Sequence, residues 1–360
     1  MWIQGVNLDY LFLNYGSDVS GFGTITLMRG TSSGNAYSNG PAPGQPAAQF
    51  VGSVLVPSGN VIMAPFNATN VGVFNPTTGV YSNGPVHGKG TVAFAGAVLL
   101  PNGKVFLSPC NSTNIVIYDP ILNTISNGPN HGKGGTAFYT STLMPDGNVA
   151  MCPYSTTNVG IYNPTLNTYS NGPWTGKTAV GSFLGATLMP NGKVFLTPRV
   201  STNIVIYDPV LNTCSNGPST GQGGMFYGSV VLPSGKIFMT PLSVTNICIY
   251  DPTLNTVSNG PAPNAGAIAG FSSSVLMPDG RVCMIPNSES VIGLYDPVAN
   301  TYTDGPAHGQ AGTTFWGGTV MLDGRIFLTP REASNIGIYN PGMSAVTPTS
   351  ALLHPMLNKY

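Results

Sequence analysis

The stretch that decides the fold is residues 183–219, which read FLGATLMPNGKVFLTPRVSTNIVIYDPVLNTCSNGPS. Seven copies of this pattern follow one another along the chain, and each begins with a phenylalanine. The seven opening residues are Phe50, Phe94, Phe138, Phe183, Phe226, Phe271 and Phe315. Successive copies start 43 to 45 residues apart. A fixed period of this length predicts a repeat architecture.

Each copy divides into four short apolar segments separated by turn signals, which we term strands a to d. In the quoted copy they are Gly185–Met189, Lys193–Thr197, Asn203–Tyr207 and Thr213–Asn216. The a–b connection is Pro-Asn-Gly or a close variant, a strong hairpin signal because glycine accepts positive φ without steric cost. Four antiparallel strands with a period near 44 residues predict one blade of an all-β propeller.

The number of blades follows from where strand d is found. Six of the seven copies end in Asn-Gly-Pro or Asp-Gly-Pro, the seventh does not, and the missing motif lies at residues 39–41. We therefore predict a seven-bladed β-propeller whose ring is closed by an N-terminal strand d joining the last blade, which leaves no exposed edge. The alternative is an eighth, degenerate blade built from residues 1–41. The predicted organisation is a non-repeat cap or anchor (1–34), the propeller (35–343) and a C-terminal tail (344–360).

Composition limits the classes of function. The net charge is zero and 7% of the residues are charged, so there is no electrostatic reason to bind nucleic acid or an anionic membrane. No apolar run is long enough to span a membrane, and the N-terminus does not resemble a signal peptide. The five cysteines are scattered over different repeat positions, which argues for buried thiols rather than a disulfide framework or a zinc site. We expect synthesis in a reducing cytoplasm and a location in a virion or outside the cell.

The repeated motif Leu-Met-Pro-Asn-Gly-Lys-Val-Phe-Leu, followed by Ile-Tyr-Asp-Pro-x-Leu-Asn-Thr, resembles bacterial Kelch-type repeats of the galactose oxidase-like propeller class. The resemblance covers most of the chain and implies the fold rather than a function, because propellers host many functions. The chain departs from the Kelch pattern in two places. Thr-Pro replaces the usual Gly-Gly after strand b, and the usual tryptophan of strand d is absent.

The loops on one face of the predicted ring carry repeated polar residues. The d–a loops carry a lysine or glutamine that we expect to form a ring of donors near the channel mouth. These residues are Gln45, Lys89, Lys133, Lys177, Gln222 and Gln310. They could bind an anion, a sugar or a partner's carbonyl groups, or they are solvated turn residues copied by duplication, which is the interpretation we favour.

The b–c loops repeat Ser/Thr-Asn, whose amides could bind sugar hydroxyls or could satisfy loop backbone groups. The asparagines are Asn70, Asn114, Asn158, Asn203, Asn246 and Asn335.

Catalytic and metal-binding residues are scarce. The only two glutamates, Glu289 and Glu332, lie in adjacent b–c loops and are the best acid–base candidates, although solvated loop carboxylates are the simpler interpretation. Three histidines share one repeat position, His87, His131 and His308, but equivalent atoms on neighbouring blades are too far apart to share an ion at about 2 Å. We predict no metal site and no cofactor.

Three hypotheses of function remain. The first is a non-enzymatic structural or adhesion propeller in a larger assembly, such as a virus or phage particle, with residues 1–34 and 344–360 contacting protein partners. The second is a soluble lectin that binds glycans through the repeated loop residues. The third is a divergent propeller enzyme, such as a glycosidase or an oxidase, that uses the two glutamates.

Overall fold

The computed structural model describes residues 24–346 except 46–47, 223–224 and 264–269, together with 2–3, 6–7 and 12–14. Seven antiparallel sheets carry the repeats. Strands a are Phe50–Leu55, Phe94–Leu99, Phe138–Leu143, Phe183–Leu188, Phe226–Val231, Phe271–Leu276 and Phe315–Val320. Strands b are Val61–Pro65, Val105–Pro109, Val149–Pro153, Val194–Pro198, Ile237–Pro241, Val282–Pro286 and Ile326–Pro330. Strands c are Asn70–Asn75, Asn114–Asp119, Asn158–Asn163, Asn203–Asp208, Cys248–Asp251, Val291–Asp296 and Gly337–Val346. Strands d of blades 1 to 6 are Val80–Val86, Thr124–Asn130, Thr168–Trp174, Thr213–Ser219, Thr256–Asn259 and Thr301–Ala307.

The seventh blade takes its strand d from the other end of the chain. The strand Thr24–Asn39 pairs with the last strand c, from Gly337 opposite Asn39 to Val346 opposite Leu27. The prediction of seven blades closed by an N-terminal strand is confirmed, and the eighth blade is wrong because the strands Thr24–Asn39 and Phe12–Asn14 belong to the sheet of blade 7. The closing strand runs without interruption through the predicted boundary at residue 34 and pairs at its start with the short strand Phe12–Asn14. The strand pair Trp2–Ile3 and Val6–Asn7 forms a separate two-stranded sheet.

The observed strands differ from the predicted ones mainly at strand d. In blade 4 it continues to Ser219, past the Gly-Pro pair at which the sequence pattern placed its end. The ladder shifts register between Asn203 and Val205, and this bulge accommodates the proline, which has no N–H to donate.

The c–d turns show why Tyr-Asp-Pro-x-Leu-Asn recurs. In blade 2, one carboxylate oxygen of Asp119 accepts the backbone N–H groups of Ile121 and Leu122, both at 3.0 Å. Asn123 adopts a φ of 53° and accepts the hydroxyl of Tyr118 at 3.0 Å. Because each residue type has a defined partner, the motif specifies the turn locally.

Between strands b and c, the residues of one facing pair differ from blade to blade. In blade 3, Met151 of strand b pairs with Gly160 of strand c, whereas in blade 4 Leu196 pairs with Val205. The other facing pairs are Met63–Gly72, Leu107–Val116, Met239–Cys248, Met284–Gly293 and Leu328–Gly337. Three methionines face a glycine and two leucines face a valine, whereas Met239 faces Cys248 and Leu328 faces Gly337. Methionine and leucine have similar volumes, so the pairs differ mainly in shape and in the residue on strand c.

Hydroxyl groups join neighbouring blades and explain the Thr-Pro departure from the Kelch pattern. Thr197 lies 2.8 Å from Ser229 of the next blade, oxygen to oxygen. The equivalent pairs are Thr240 with Ser274 at 2.7 Å and Thr329 with Ser53 at 2.8 Å, the last of which links blade 7 to blade 1. The closing joint therefore uses the same contact as the joints between blades 4 and 5 and between blades 5 and 6.

Candidate functional site

The glutamines of the predicted ring of d–a loop donors lie over the outer strands. The amide of Gln45 donates to Asn83 on strand d at 2.8 Å, and Gln310 donates to Asn39 at 2.7 Å. Gln222 likewise donates to Asn259 at 3.1 Å. These hydrogen bonds therefore connect the d–a loops to strand d, the outermost strand of each blade. The lysines at the equivalent position, Lys89, Lys133 and Lys177, make no ion pair with any residue that the structure describes.

The repeated histidines hold these loops in place. Nε2 of His131 lies 2.7 Å from the carbonyl oxygen of Ser112, and its Nδ1 accepts the backbone N–H of Lys133 at 3.2 Å. The tautomer with the proton on Nε2 satisfies both contacts, and both ring nitrogens are then occupied. His87 and His308 make the corresponding pairs of bonds. Burial lowers the pKa of His87 and of His131, which keeps them neutral near pH 7. Such a histidine has no free lone pair for a metal.

The b–c loop asparagines also serve the blade. The amide of Asn158 donates to the carbonyl of Gly172 on strand d at 2.9 Å, beside the bulge in the ladder. Bonds of the same kind are made by Asn70, Asn203, Asn246 and Asn335. Asn114 occupies the same position in blade 2, where the ladder shifts in the same way. Their amides are therefore committed to the fold.

The two glutamates are engaged with different groups. The carboxylate of Glu289 accepts the backbone N–H of Gly270 at 3.0 Å. Glu332 forms an ion pair with Arg331 at 3.4 Å. Each carboxylate thus has a partner in its own blade.

Sequence reasoning missed a different set of residues, which lie at two of the positions where the blades differ most. The first follows the proline that ends strand b, and six residue types occupy it in seven blades. It holds Phe66, Cys110, Tyr154, Arg199, Leu242, Asn287 and Arg331. The second is the residue after the opening phenylalanine of strand a, again with six types. It holds Val51, Ala95, Tyr139, Leu184, Tyr227, Ser272 and Trp316. The signal that could have found them is this divergence inside an otherwise regular repeat.

The structure brings these two positions together where the channel opens between the d–a and b–c loops, and we call this region the channel mouth. One cluster contains Val51, Tyr139 and Tyr227 and packs against Tyr154 and Trp316, so it crosses from blade to blade. Strand a begins here and strand b ends here, which places both variable positions at the same end of the channel.

An arc of aromatic rings crosses the channel mouth. The centroids of Tyr154 and Tyr139 lie 5.5 Å apart, those of Tyr139 and Tyr227 5.7 Å, and those of Tyr227 and Trp316 5.0 Å. The last two contacts are edge-to-face, with interplanar angles of 84° and 75°. This geometry is favourable for aromatic pairs and holds the arc together.

A guanidinium group lies at each end of the arc. Arg331 stacks over Trp316 at 3.8 Å, and Arg199 lies over Tyr154 at 5.7 Å. Arg331 also donates to the hydroxyl of Thr313 at 2.9 Å, while its buried Nε has no partner among the described residues. The channel mouth therefore combines half-buried aromatic surface with cationic donors. Such a combination binds ligands or partner chains.

Deeper in the channel mouth, burial disfavours the ionised forms of two tyrosines and one cysteine. Burial raises the pKa of Tyr139 and of Tyr227 above the usual value of 10. Burial also raises the pKa of Cys110, a free thiol, to about 12. These groups remain neutral near pH 7, which makes the thiol a poor nucleophile.

Three groups of comparisons place the chain among known proteins. No protein-family model matches it. No curated protein matches it either. Among solved structures it is similar to virginiamycin B lyase from Staphylococcus aureus, with 13% identity and a TM-score of 0.72, covering 86% of this chain and 99% of the other.

Two further solved structures differ in function from that lyase. A fungal alcohol oxidase of the AA5 family, in complex with copper, has 16% identity and a TM-score of 0.64, covering 85% of this chain and 76% of the other. An extracellular domain of a two-component system from B. thetaiotaomicron has 10% identity and a TM-score of 0.65, covering 84% and 39%. At these identities the similarity shows the fold alone.

No helix able to cross a membrane is found in the part of the chain that the structure describes. No cluster of three metal-ligating side chains occurs among those residues either. The similarity to the three solved structures shows that the chain shares the propeller fold with them.

Proposed function

We propose that this chain is a non-enzymatic binding propeller that recognises a partner or a host-surface ligand at its channel mouth. The observation that carries the proposal is the concentration of differences between blades at the mouth. Two positions that meet there each carry six residue types in seven blades.

The residue types support binding. Tryptophan, tyrosine and arginine are the types that contribute most energy at binding interfaces. Trp316 and Arg331 are half-buried, so each is held in place while part of it stays accessible. The arc is also preorganised by its ring contacts, which reduces the entropy lost on binding.

We extend the proposal to an assembly, in which residues 1–34 and 344–360 contact neighbouring protein chains and the ring faces outward, as in a virus or phage particle. This extension rests on the low charge, the free thiols and the non-repeating ends. Glycans are the first ligand class to test, because half-buried aromatic faces beside arginine donors suit sugar rings and hydroxyls.

The experiment compares two sets of variants on a glycan array and by sedimentation of the protein from its source. The mouth set is Arg199→Ala with Arg331→Ala, and the matched control set is Lys89→Ala, Lys133→Ala and Lys177→Ala in the outer loops. We expect bound glycan signal to fall at least tenfold for the mouth set and to stay unchanged for the control set. The reverse pattern would move the site to the outer loops and overturn the proposal.

Sedimentation tests the assembly. A megadalton particle is expected, and a free 37.3 kDa ring would remove the assembly from the proposal. If the ring is free and no glycan binds, the binding function itself is wrong.

A further inference from the structure

Five adjacent blades carry exposed aliphatic side chains in their c–d turns, at the end of the ring opposite the channel mouth. In blade 2 this turn connects Asp119 to Thr124, and blades 3 to 6 have the equivalent turn. Thirteen large apolar side chains are strongly exposed in the described part of the chain, and seven of them lie in these turns, each 69–91% exposed. We call these seven the aliphatic rim: Ile121, Leu122, Leu166, Val210, Leu211, Leu254 and Val298.

The turns do not need these side chains in order to fold. In blade 2, the backbone N–H groups of Ile121 and Leu122 make the hydrogen bonds of the turn. In blade 1, the same two bonds come from Thr77 and Thr78, at 2.9 and 3.0 Å. Threonine therefore meets the requirements of the turn at both positions. Since the aliphatic side chains serve neither the turn nor the core, a set of them on one face indicates a contact with another molecule.

The size of the aliphatic rim matches a protein interface. A free isoleucine, leucine or valine side chain exposes on the order of 100 Å² of apolar surface. At the observed exposures, the seven side chains together present roughly 500 Å². A standard interface buries about 800 Å² on each partner, of which about 57% is apolar. The rim therefore supplies the apolar area that one side of such an interface needs.

The charges of the c–d turns are closed within each blade. In blade 2, Lys104 forms an ion pair with Asp119 at 3.1 Å, and blades 4 and 5 repeat this pair at 3.0 and 3.1 Å. In blade 3 the position of the aspartate holds Asn163. The turns of blades 2 to 5 therefore carry no net charge. They do not select an oppositely charged partner, and two identical faces do not repel each other, which favours a second copy of this chain.

We propose that the aliphatic rim is a self-association surface, at which two copies of this chain pack face to face about a two-fold axis. A two-fold contact places the same patch on both partners, so each copy buries its rim against the rim of the other. The two channel mouths then lie at opposite ends of the dimer and remain accessible. The inference concerns the other end of the ring, so it does not depend on the function proposed for the channel mouth.

The test measures the mass of the purified full chain by sedimentation equilibrium over a range of concentrations. We expect a dimer of twice 37.3 kDa that dissociates on dilution. A chain that stays monomeric at every concentration would overturn the proposal. Flotation of a monomer with neutral phosphatidylcholine vesicles would identify a lipid surface as the occupant and would also overturn it. The larger assembly is sought in protein from its source, so each proposal can fail without the other.

Two matched sets of variants locate the contact. Threonine already occupies one rim position in blades 1, 3 and 5, so the test set brings blades 2, 4 and 6 to the same residue. The test set is Ile121→Thr, Val210→Thr and Val298→Thr. The control set changes three exposed valines at the opposite end of the ring, Val86→Thr, Val180→Thr and Val200→Thr.

We expect the dissociation constant of the dimer to rise at least tenfold in the test set and to stay unchanged in the control set. The melting temperature of the dilute monomer should be the same for the test set and the unchanged protein, because the substituted side chains pack against nothing in their own chain. This second measurement separates a weakened contact from a damaged fold. Equal dissociation constants for the two sets would overturn the proposal.

Discussion

The blade interior and the channel mouth differ in how the repeats vary. In the interior, the paired positions of strands b and c hold a few apolar or small residue types, as Met151 with Gly160 and Leu196 with Val205 show. At the mouth, the residue after strand b changes from a phenyl ring to a thiol to a guanidinium. The interior side chains are fully buried, whereas Trp316 and Arg331 of the mouth are part-exposed. Part-exposed side chains are available for binding.

The largest loss of stability is expected when a large residue on strand c is placed opposite a large residue on strand b in the blade interior. In Gly160→Val, a β carbon would lie 2.7 Å from Cε of Met151 and 2.7 Å from the ring of Phe138. We expect the free energy of unfolding to fall by roughly 1–3 kcal/mol, as overpacking of a core does. Urea unfolding measures the loss.

The matched double variant adds Met151→Leu, which recreates the Leu–Val pair of blades 2 and 4. It relieves the contact with the thioether and leaves the contact with Phe138, so we expect it to recover part of the stability lost by Gly160→Val. A double variant as unstable as the single one would mean that the thioether of Met151 does not oppose a side chain at position 160.

Substitutions of the loop histidines test how much their hydrogen bonds contribute to the stability of the fold. His131→Ala removes the bonds to Ser112 and Lys133 and leaves a buried carbonyl group unpaired, so we expect a loss of about 1–3 kcal/mol in chemical unfolding. His131→Thr should cost less, because Thr175 at the same position of blade 3 bonds to the carbonyl of Thr157 at 3.0 Å. Equal losses for both variants would show that the imidazole contributes by packing alone.

The lowered pKa values of two of these histidines predict that the free energy of unfolding depends on pH. The pKa values of His87 and His131 are lowered from 6.5 in the fold, so the unfolded chain binds more protons below that pH. Their stabilising contribution is complete above pH 6.5 and is lost as the pH falls through the folded pKa values. The free energy of unfolding should therefore decrease between pH 7 and pH 5. It should decrease less in the variant His87→Thr with His131→Thr, and an unchanged slope in that variant would contradict the assignment.

The smallest effect on stability is expected at the mouth itself. Arg199→Ala removes a half-exposed guanidinium that lies over Tyr154, a contact worth about 0.5–1 kcal/mol at exposed sites. The melting temperature should change by only a few degrees at most. A loss comparable to that of Gly160→Val would mean that the mouth is part of the packing and is not a free surface.

The sequence by itself determined the blade. The 43–45-residue period, the Pro-Asn-Gly turn and the Tyr-Asp-Pro-x-Leu-Asn turn each act over a few residues, and local hydrogen bonds enforce them. The missing strand d at the C-terminal end and its motif at residues 39–41 were enough to predict the closure, because an open edge is costly.

Tertiary structure alone decided where the polar loop residues go and which residues form the mouth. Gln45 and Asn158 look like available donors in the sequence, but their partners, Asn83 and Gly172, lie across the blade and are found only after folding. Tyr154, Tyr227 and Trp316 lie in three different blades, and only closure of the ring brings their side chains to one axis. A local pattern can specify a turn or a strand, but convergence of residues from distant repeats requires the closed ring.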